Sequence, residues 1–329
     1  MMPLSRIRAF DRTITEGGRS AVADLLAAPW SHDPGSVRFF RTSANVVLTL
    51  TSNGERAFLR AASACERTPQ TIEGELRMLD ALTARGVPVV SAIPSDRGSR
   101  IETVDTPLGP FHVVLFAALP GTIRDAETLS VPDYRRWGGA VGRIHAGLAA
   151  IPSDAVARPP SWQRAFDILE THRERVPEDT KIGAARLRAR LERLPRTPAW
   201  YGLLHGDLEL DNLTWDDDAI RALDFDGASC GWYLLDVAKA LADPLDSGLS
   251  TTDAPIAAFL DGYRDQRPLP DTSMASLPDF RLLARLIDYA SLLHAVDMPE
   301  DDADVDWLRA LIARLNTWMR SFEAELATA

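Results

Sequence analysis

The spacing of apolar residues changes at Leu119-Pro120-Gly121. Upstream of that break they come in short β-branched and aromatic runs; downstream they recur at helical intervals. In "VRFFRTSANVVLTLTSNGERAFLR", residues 37–60, the runs VVLTL and AFLR flank TSNGER, and Asn53-Gly54 is a strong hairpin turn signal. One helix follows, with Thr68 as its cap, Pro69 in its first turn, and Gly86 and Pro88 closing it. "FHVVLFAALPG", residues 111–121, reads as a buried strand running into the break. Beyond it Tyr134, Trp137, Val141, Ile144 and Leu148 keep helical spacing, and residues 162–194 and 279–322 are also expected to be helical. The pattern predicts an α+β chain of two lobes: residues 1–118, a sheet with one helix, and residues 119–329, mainly helical. Ligands commonly bind in the cleft between such lobes.

A chain of 329 residues buries a sizeable core without covalent staples. Its two cysteines, Cys65 and Cys230, are too few for a disulfide framework and fit a reducing compartment. A net charge of -11 disfavours nucleic acid as a partner. No apolar run reaches the roughly 18 residues of a membrane span, and the N-terminal stretch has no signal-peptide core. A soluble, cytoplasmic protein without a membrane partner is expected. The only lysines are Lys181 and Lys239, so a buried cation in the first 180 residues has to be arginine or histidine.

"HGDLELDN", residues 205–212, crowds Asp207, Glu209 and Asp211 into five positions. Downstream, "LTWDDDAIRAL", residues 213–223, reads as a short hairpin centred on Asp218. That centre puts Asn212 opposite Asp224, with backbones about 4.5–5.5 Å apart. An amide oxygen beside a carboxylate is a hard-oxygen pair that suits Mg²⁺. Asp207 lies five residues before Asn212, the spacing of H-R-D-L-x-x-x-N in a kinase catalytic loop. Like charges are tolerated together where a divalent cation and a substrate sit among them. In the first lobe, Glu75 falls on the apolar stripe of Met78, Leu79 and Leu82 and needs a partner there. A P-loop is excluded, since no Gly-Lys pair occurs.

At "HGDLELDN", "LDFDG" and "YLLDVAKAL" the chain resembles the aminoglycoside phosphotransferase and choline kinase-like superfamily, whose fold is that of protein kinases. The glycine after His205 favours this branch over the protein kinases. The resemblance implies that Asp207 is the catalytic base, and that Asn212 and Asp224 hold Mg²⁺ on the nucleotide phosphates. His205 and Asp236 would organise the loop. Arg60 would stand for the usual lysine of the third strand, pair with Glu75 and hold the phosphates; it keeps the charge but differs in reach. Ser43 and Asn45 would belong to the loop over the phosphates, or to an ordinary turn. Backbone groups near Phe116 and Ala118 would meet the purine.

Glu209 stands where protein kinases carry a lysine that helps neutralise the γ-phosphate. Together with Asp211 it would attract a cationic acceptor. Asp226 would be a second metal contact or a structural acid. Trp232 and Tyr233 would line an acceptor pocket or belong to the core, and Arg285, on a late helix, would reach the acceptor. His145 reads as helix packing. The implied reaction is γ-phosphoryl transfer from ATP, with GTP an open alternative, to a hydroxyl of an aminoglycoside-, choline- or homoserine-like molecule. A protein Ser/Thr kinase and a non-catalytic nucleotide-binding module are the competing readings.

Overall fold

The computed structural model describes residues 1–152, 160–217 and 219–329. Two short helices, α1 (Leu4–Asp11) and α2 (Ala21–Ala27), precede the first strand. The sheet-rich part of the chain therefore carries two helices more than the one expected. Leu4, Ile7 and Phe10 face the core from α1. Arg8 and Arg12 on its other side pair with Asp304, and Ser5 bonds Asp297, which ties α1 to the helical part.

The strands are β1 (Arg38–Thr42), β2 (Val46–Ser52) and β3 (Glu55–Ser63). Helix α3 (Pro69–Thr83) comes next, then β4 (Ala92–Ile93), β5 (Glu102–Thr106) and β6 (Gly109–Ala117). All pairings are antiparallel, in the order β1-β2-β3-β6-β4, with β5 also on β6. Asn53 and Gly54 take φ of 52° and 82°, the two positive values that a type I′ turn requires, and Ser52 faces Glu55 across it. In β2, Val46, Leu48 and Leu50 point inward at a period of two, as a half-buried strand should. Thr68 caps α3 by accepting the Thr71 N–H. The buried face of α3 carries Ile72, Met78, Leu79 and Leu82, with Glu75 among them at 2% exposure.

Past the break, α4 (Val131–Ala149) begins at Ser130, which forms a reciprocal capping pair with Asp133. Residues 162–194 contain two helices rather than one: α5 (Arg164–Thr171) and α6 (Glu178–Leu191), separated before Pro177, which cannot continue a helix from upstream. Strands β7 (Tyr201–Leu204), β8 (Leu213–Trp215), β9 (Ile220–Ala222) and β10 (Ser229–Trp232) make two small ladders, β7 with β10 and β8 with β9. Then come α7 (Tyr233–Ala240), α8 (Ala242–Asp246), α9 (Ala254–Gln266), α10 (Asp271–Met274), α11 (Leu277–Ala295) and α12 (Asp306–Ala327). The predicted 279–322 helix is thus also a pair, interrupted around Pro299. The two small ladders sit where the helical part meets the sheet: Val90 N–H bonds the Ala222 carbonyl, and Thr122 and Trp215 bond each other's backbones. Among the described residues no helix is long and apolar enough to cross a membrane.

Candidate active site

β7 delivers the chain into residues 205–212. His205 is fully buried there. Its Nδ1 accepts the Asp207 N–H at 3.2 Å, so its Nε2 carries the proton and donates to the Leu223 carbonyl at 2.9 Å. Burial pushes the His205 pKa down, which favours this neutral form. From the first turn of α7, Asp236 accepts the His205 N–H at 2.9 Å and the Gly206 N–H at 3.0 Å. His145 of α4 donates to the same carboxylate at 3.0 Å and accepts from the Tyr263 hydroxyl at 2.8 Å. Burial opposes the Asp236 charge, yet these hydrogen bonds hold its carboxyl below the ordinary range. Gly206 has φ of 88°, and a Cβ there would lie 2.0 Å from the Gly227 carbonyl oxygen. Only glycine lets residues 205–207 pack this closely on residues 224–227.

Asp207 is held at both carboxylate oxygens. Asn212 Nδ2 donates to Oδ2 at 2.9 Å and to the Asp207 carbonyl at 3.0 Å. Lys239 Nζ stands 3.5 Å from Oδ1. With its amide nitrogen committed to Asp207, Asn212 turns its oxygen the other way.

The hairpin corrects the expected register. Leu213 pairs with Ala222 and Trp215 with Ile220, and the Leu223 N–H bonds the Asn212 carbonyl at 3.0 Å. Asn212 therefore faces Leu223, not Asp224. The turn closes where the Asp216 N–H bonds the Ala219 carbonyl, so its axis falls between residues 217 and 218. Asp218, the expected centre, lies outside the described residues. Asp224 comes one step past the ladder in the left-handed region, φ 61° and ψ 64°. For a non-glycine residue that conformation costs on the order of 1–3 kcal/mol and clusters at functional sites.

Asp224 Oδ1 is 3.3 Å from Arg60 Nη1 and Oδ2 is 3.6 Å from Arg41 Nη2. Burial, with Asp226 close by, pushes the Asp224 carboxyl up to about 6. Asp226 is held low despite burial by Arg60, Arg67 and a 2.6 Å hydrogen bond from Asn45 Nδ2. Arg60 Nη2 meets Glu75 Oε2 at 2.7 Å, and its guanidinium lies 5.1 Å from the Phe116 ring centre. The partner that Glu75 required is thus the arginine expected of β3. Glu75 Oε1 and Asn45 Oδ1 are buried without a hydrogen-bond partner, which leaves acceptor capacity for water or a ligand group.

By donor chemistry, Asn212 and Asp224 would suit a divalent cation. Among the described residues no three His, Cys, Asp or Glu side chains converge on one point. Asn212 oxygen and the Asp224 carboxylate are a small hard-oxygen set of the kind Mg²⁺ takes when phosphate and water complete its shell. A cation beside Asp224 would relieve the crowding that raises its carboxyl.

For two residue pairs left open by the sequence, Ser43 with Asn45 and Trp232 with Tyr233, packing selects the structural reading. Asn45 spends its amide nitrogen on Asp226 and so pins the β1–β2 loop onto residues 224–227. The Ser43 N–H is closed on the Asn45 carbonyl, leaving only its exposed side chain toward the cleft. Phe116 lies between Phe58 of β3 and Ala92 of β4, and the Ala118 N–H bonds the Arg56 carbonyl. The sheet thus takes the N–H groups of Ala117 and Ala118. Trp232 and Tyr233 belong to the core. Trp232 is fully buried against Trp162, Tyr201 and Phe280 and donates to the Pro195 carbonyl, while Tyr233 lies under Arg267.

A cavity of about 410 Å³ opens beside Lys239, which contacts Asp207. Glu209, Lys239, Asp288 and Arg285 line it, with Phe322 and Trp318 of α12 as an aromatic wall. Arg285 of α11 lines this cavity, paired with Asp246 and, at 3.5 Å, with Glu325. Partial burial, then the Asp207 charge, push Glu209 up to about 7. Half-exposed Asp211 is raised by the same two causes. Sequence reasoning missed Lys239, His145 and Arg67. The available signals were that Lys239 stands three residues after Asp236 on one helix face, and that His145 is a polar residue on an apolar stripe.

Residues 37–273 match the family model described as "Phosphotransferase enzyme family". The chain is 27% identical over 285 residues to amicoumacin kinase of Bacillus subtilis (strain 168), covering 83% of this chain and 84% of that protein. It is 30% identical over 190 residues to homoserine kinase of Methylobacterium sp. (strain 4-46), covering 51% of this chain and 57% of that one. Among solved structures, amicoumacin kinase hAmiN in complex with AMP-PNP, Ca²⁺ and Ami matches with a TM-score of 0.75 at 23% identity over 96% of each chain. The microcompartment-associated aminopropanol kinase matches at 0.67 and 24% identity, over 93% of this chain and 94% of that one. At these identities the structural likeness establishes the bilobal kinase-like fold.

Proposed function

Because this chain belongs to the phosphotransferase enzyme family, and is on that ground a small-molecule phosphotransferase, we propose that it moves the γ-phosphoryl group of ATP to a hydroxyl of a small amine-bearing molecule. The observation that carries the reading is Asp207 clamped by Asn212 beside Asp224, with the Arg60–Glu75 pair closing the other side. Residues 1–118 and 119–329 are taken as the two lobes, working in the cytoplasm, with nucleotide between them.

The acceptor hydroxyl gives its proton to Asp207. Its oxygen bonds to the γ-phosphorus, and the bond from that phosphorus to the bridging oxygen breaks to leave ADP. Little covalent work falls to the protein, so positioning and charge placement dominate. Arg60 holds phosphate charge while Glu75 fixes its fork. Asn212 and Asp224 would hold a divalent cation such as Mg²⁺, which would neutralise phosphate charge.

A cationic acceptor is supported by the acids Glu209 and Asp288 in the cavity wall. Homoserine and aminopropanol, which name two of the relatives, are both amino alcohols. A protein substrate is disfavoured, since only residues 225–232 separate Asp224 from α7, too few for a long activation segment. The non-catalytic reading is disfavoured by the intact Asp207, Asn212 and Asp224 set. The test is ADP release from MgATP across a panel of amino alcohols and aminoglycosides. At least one acceptor is expected to raise it well above an Asp207→Asn background, and a panel with none would overturn the assignment.

A further inference from the structure

Around Asp207 the chain gathers acids and one buried cation. Glu209, Asp211 and Asp288 surround it, and their charges crowd one another. Arg281 and Arg285, which also line the cavity, are bound to Asp246. Among the described residues of that wall, Lys239 is the cation in contact with Asp207. Its Nζ is 3.5 Å from Asp207 Oδ1 and 3.8 Å from Asp288 Oδ1, and the residue is 7% exposed. An ammonium is buried only where paired, and here one of its partners is the catalytic carboxylate itself.

Helix α7 explains the placement. Asp236 and Lys239 are three residues apart and share a face. Through Asp236 that face holds the backbone of His205 and Gly206, and through Lys239 it reaches Asp207. One rigid element thus grips the loop at three consecutive residues. Within the loop, the position where a lysine would stand holds Glu209 instead.

We propose that Lys239 is a positioning residue for phosphoryl transfer, supplying from α7 the positive charge that the loop lacks at Glu209. This rests on the phosphotransferase reading above. Lys239 holds Asp207 Oδ1 while Asn212 holds Oδ2, so the carboxylate faces the acceptor hydroxyl. It also fixes a cation on the acceptor side of Asp207, among acids that would otherwise repel phosphate. In the transfer the acceptor proton goes to Asp207 and the new O–P bond replaces the one to ADP; Lys239 keeps its proton throughout.

The test uses MgATP with water as acceptor, so it does not depend on the acceptor's identity. Lys239→Met is expected to lower kcat for ADP release by about 100-fold with little change in KM for MgATP, the pattern of a contact made in the transition state. Affinity for MgADP should stay unchanged, whereas affinity for MgADP with aluminium fluoride, a mimic of the transferring group, should fall comparably. Returning the cation to the loop, in the double variant Lys239→Met/Glu209→Lys, should recover about tenfold or more of the lost kcat. Wild-type kcat in Lys239→Met would overturn the proposal. So would an equal loss of MgADP and MgADP–aluminium fluoride affinity, or a folded double variant with no recovery, since a purely structural lysine behaves that way. Should Lys239→Met not fold, Lys239→Gln carries the same expectations. A wild-type protein that neither binds MgADP nor releases ADP overturns the phosphotransferase reading and this inference with it; an active wild type matched by Lys239→Met overturns this inference alone.

Discussion

His145 and Asp236 meet at 3.0 Å, Nε2 to Oδ2, with neither side chain exposed to solvent. They lie 91 residues apart on α4 and α7. The same carboxylate receives the backbone N–H groups of His205 and Gly206, so one buried acid joins two helices to the 205–212 loop. Replacing it by alanine leaves three donors without an acceptor. Asp236→Ala is expected to destabilise the fold by about 3 kcal/mol or more. The urea midpoint measures this, and an unchanged midpoint would remove Asp236 from its central place.

Stability should also depend on His205. Burial lowers its pKa from the ordinary 6.5, so the folded chain binds its proton less readily than the unfolded chain. The stabilisation is fully present above 6.5 and is lost as pH falls through the folded value. Urea midpoints at pH 7.5 and 5.5, compared between wild type and His205→Asn, isolate this part from other titrating groups. The wild type is expected to lose more on acidification; equal losses would contradict the buried neutral imidazole.

Asp207→Asn should lower turnover by several orders of magnitude while nucleotide affinity changes little. Asp224→Ala should abolish Mg²⁺-dependent nucleotide binding. Calorimetric titration with MgADP separates the two: retained binding in the first and lost binding in the second is the expected pair. The reverse pattern would exchange their roles.

Arg60 spans Glu75 and Asp224 with two arms of one guanidinium, at 2.7 and 3.3 Å. An ammonium has no such fork. Arg60→Lys is therefore expected to raise KM for MgATP about tenfold. Steady-state kinetics at fixed acceptor concentration decides; an unaltered KM would mean that the second arm is idle.

With its carboxyl near 7, Glu209 changes charge in the physiological range. It is neutral below that pH and anionic above it, so KM for an amine-bearing acceptor should fall as pH rises from about 6 to 8. Glu209→Gln should flatten the profile. The same slope in both proteins would take Glu209 out of acceptor binding.

Much of this was legible in the order of residues. Asn53-Gly54 and Thr68 act within four positions of themselves, and such short-range rules depend on little else. The five-residue spacing of Asp207 and Asn212 matched a catalytic-loop pattern, but the contact between them appears only in the folded loop, where the Asn212 amide turns back onto the Asp207 carboxylate. The hairpin from Leu213 to Ala222 was foreseen, but its register was set by whether the turn closes on an odd or even residue, which the three aspartates at 216–218 do not encode. Trp232 and Tyr233 look the same in the sequence whether they line a pocket or fill a core.

What packing alone decided are the contacts between distant segments. Lys239 reaches Asp207 across 32 residues, Arg60 reaches Asp224 across 164, and Asn45 reaches Asp226 across 181. No local pattern carries these, since each depends on how α7, the sheet and the small ladders come together once their apolar faces are buried. The sequence by itself determined which groups are candidates for the chemistry; the tertiary structure decided which charges stand beside them, because a side chain's electrostatic neighbours are chosen by the fold and not by its place in the chain.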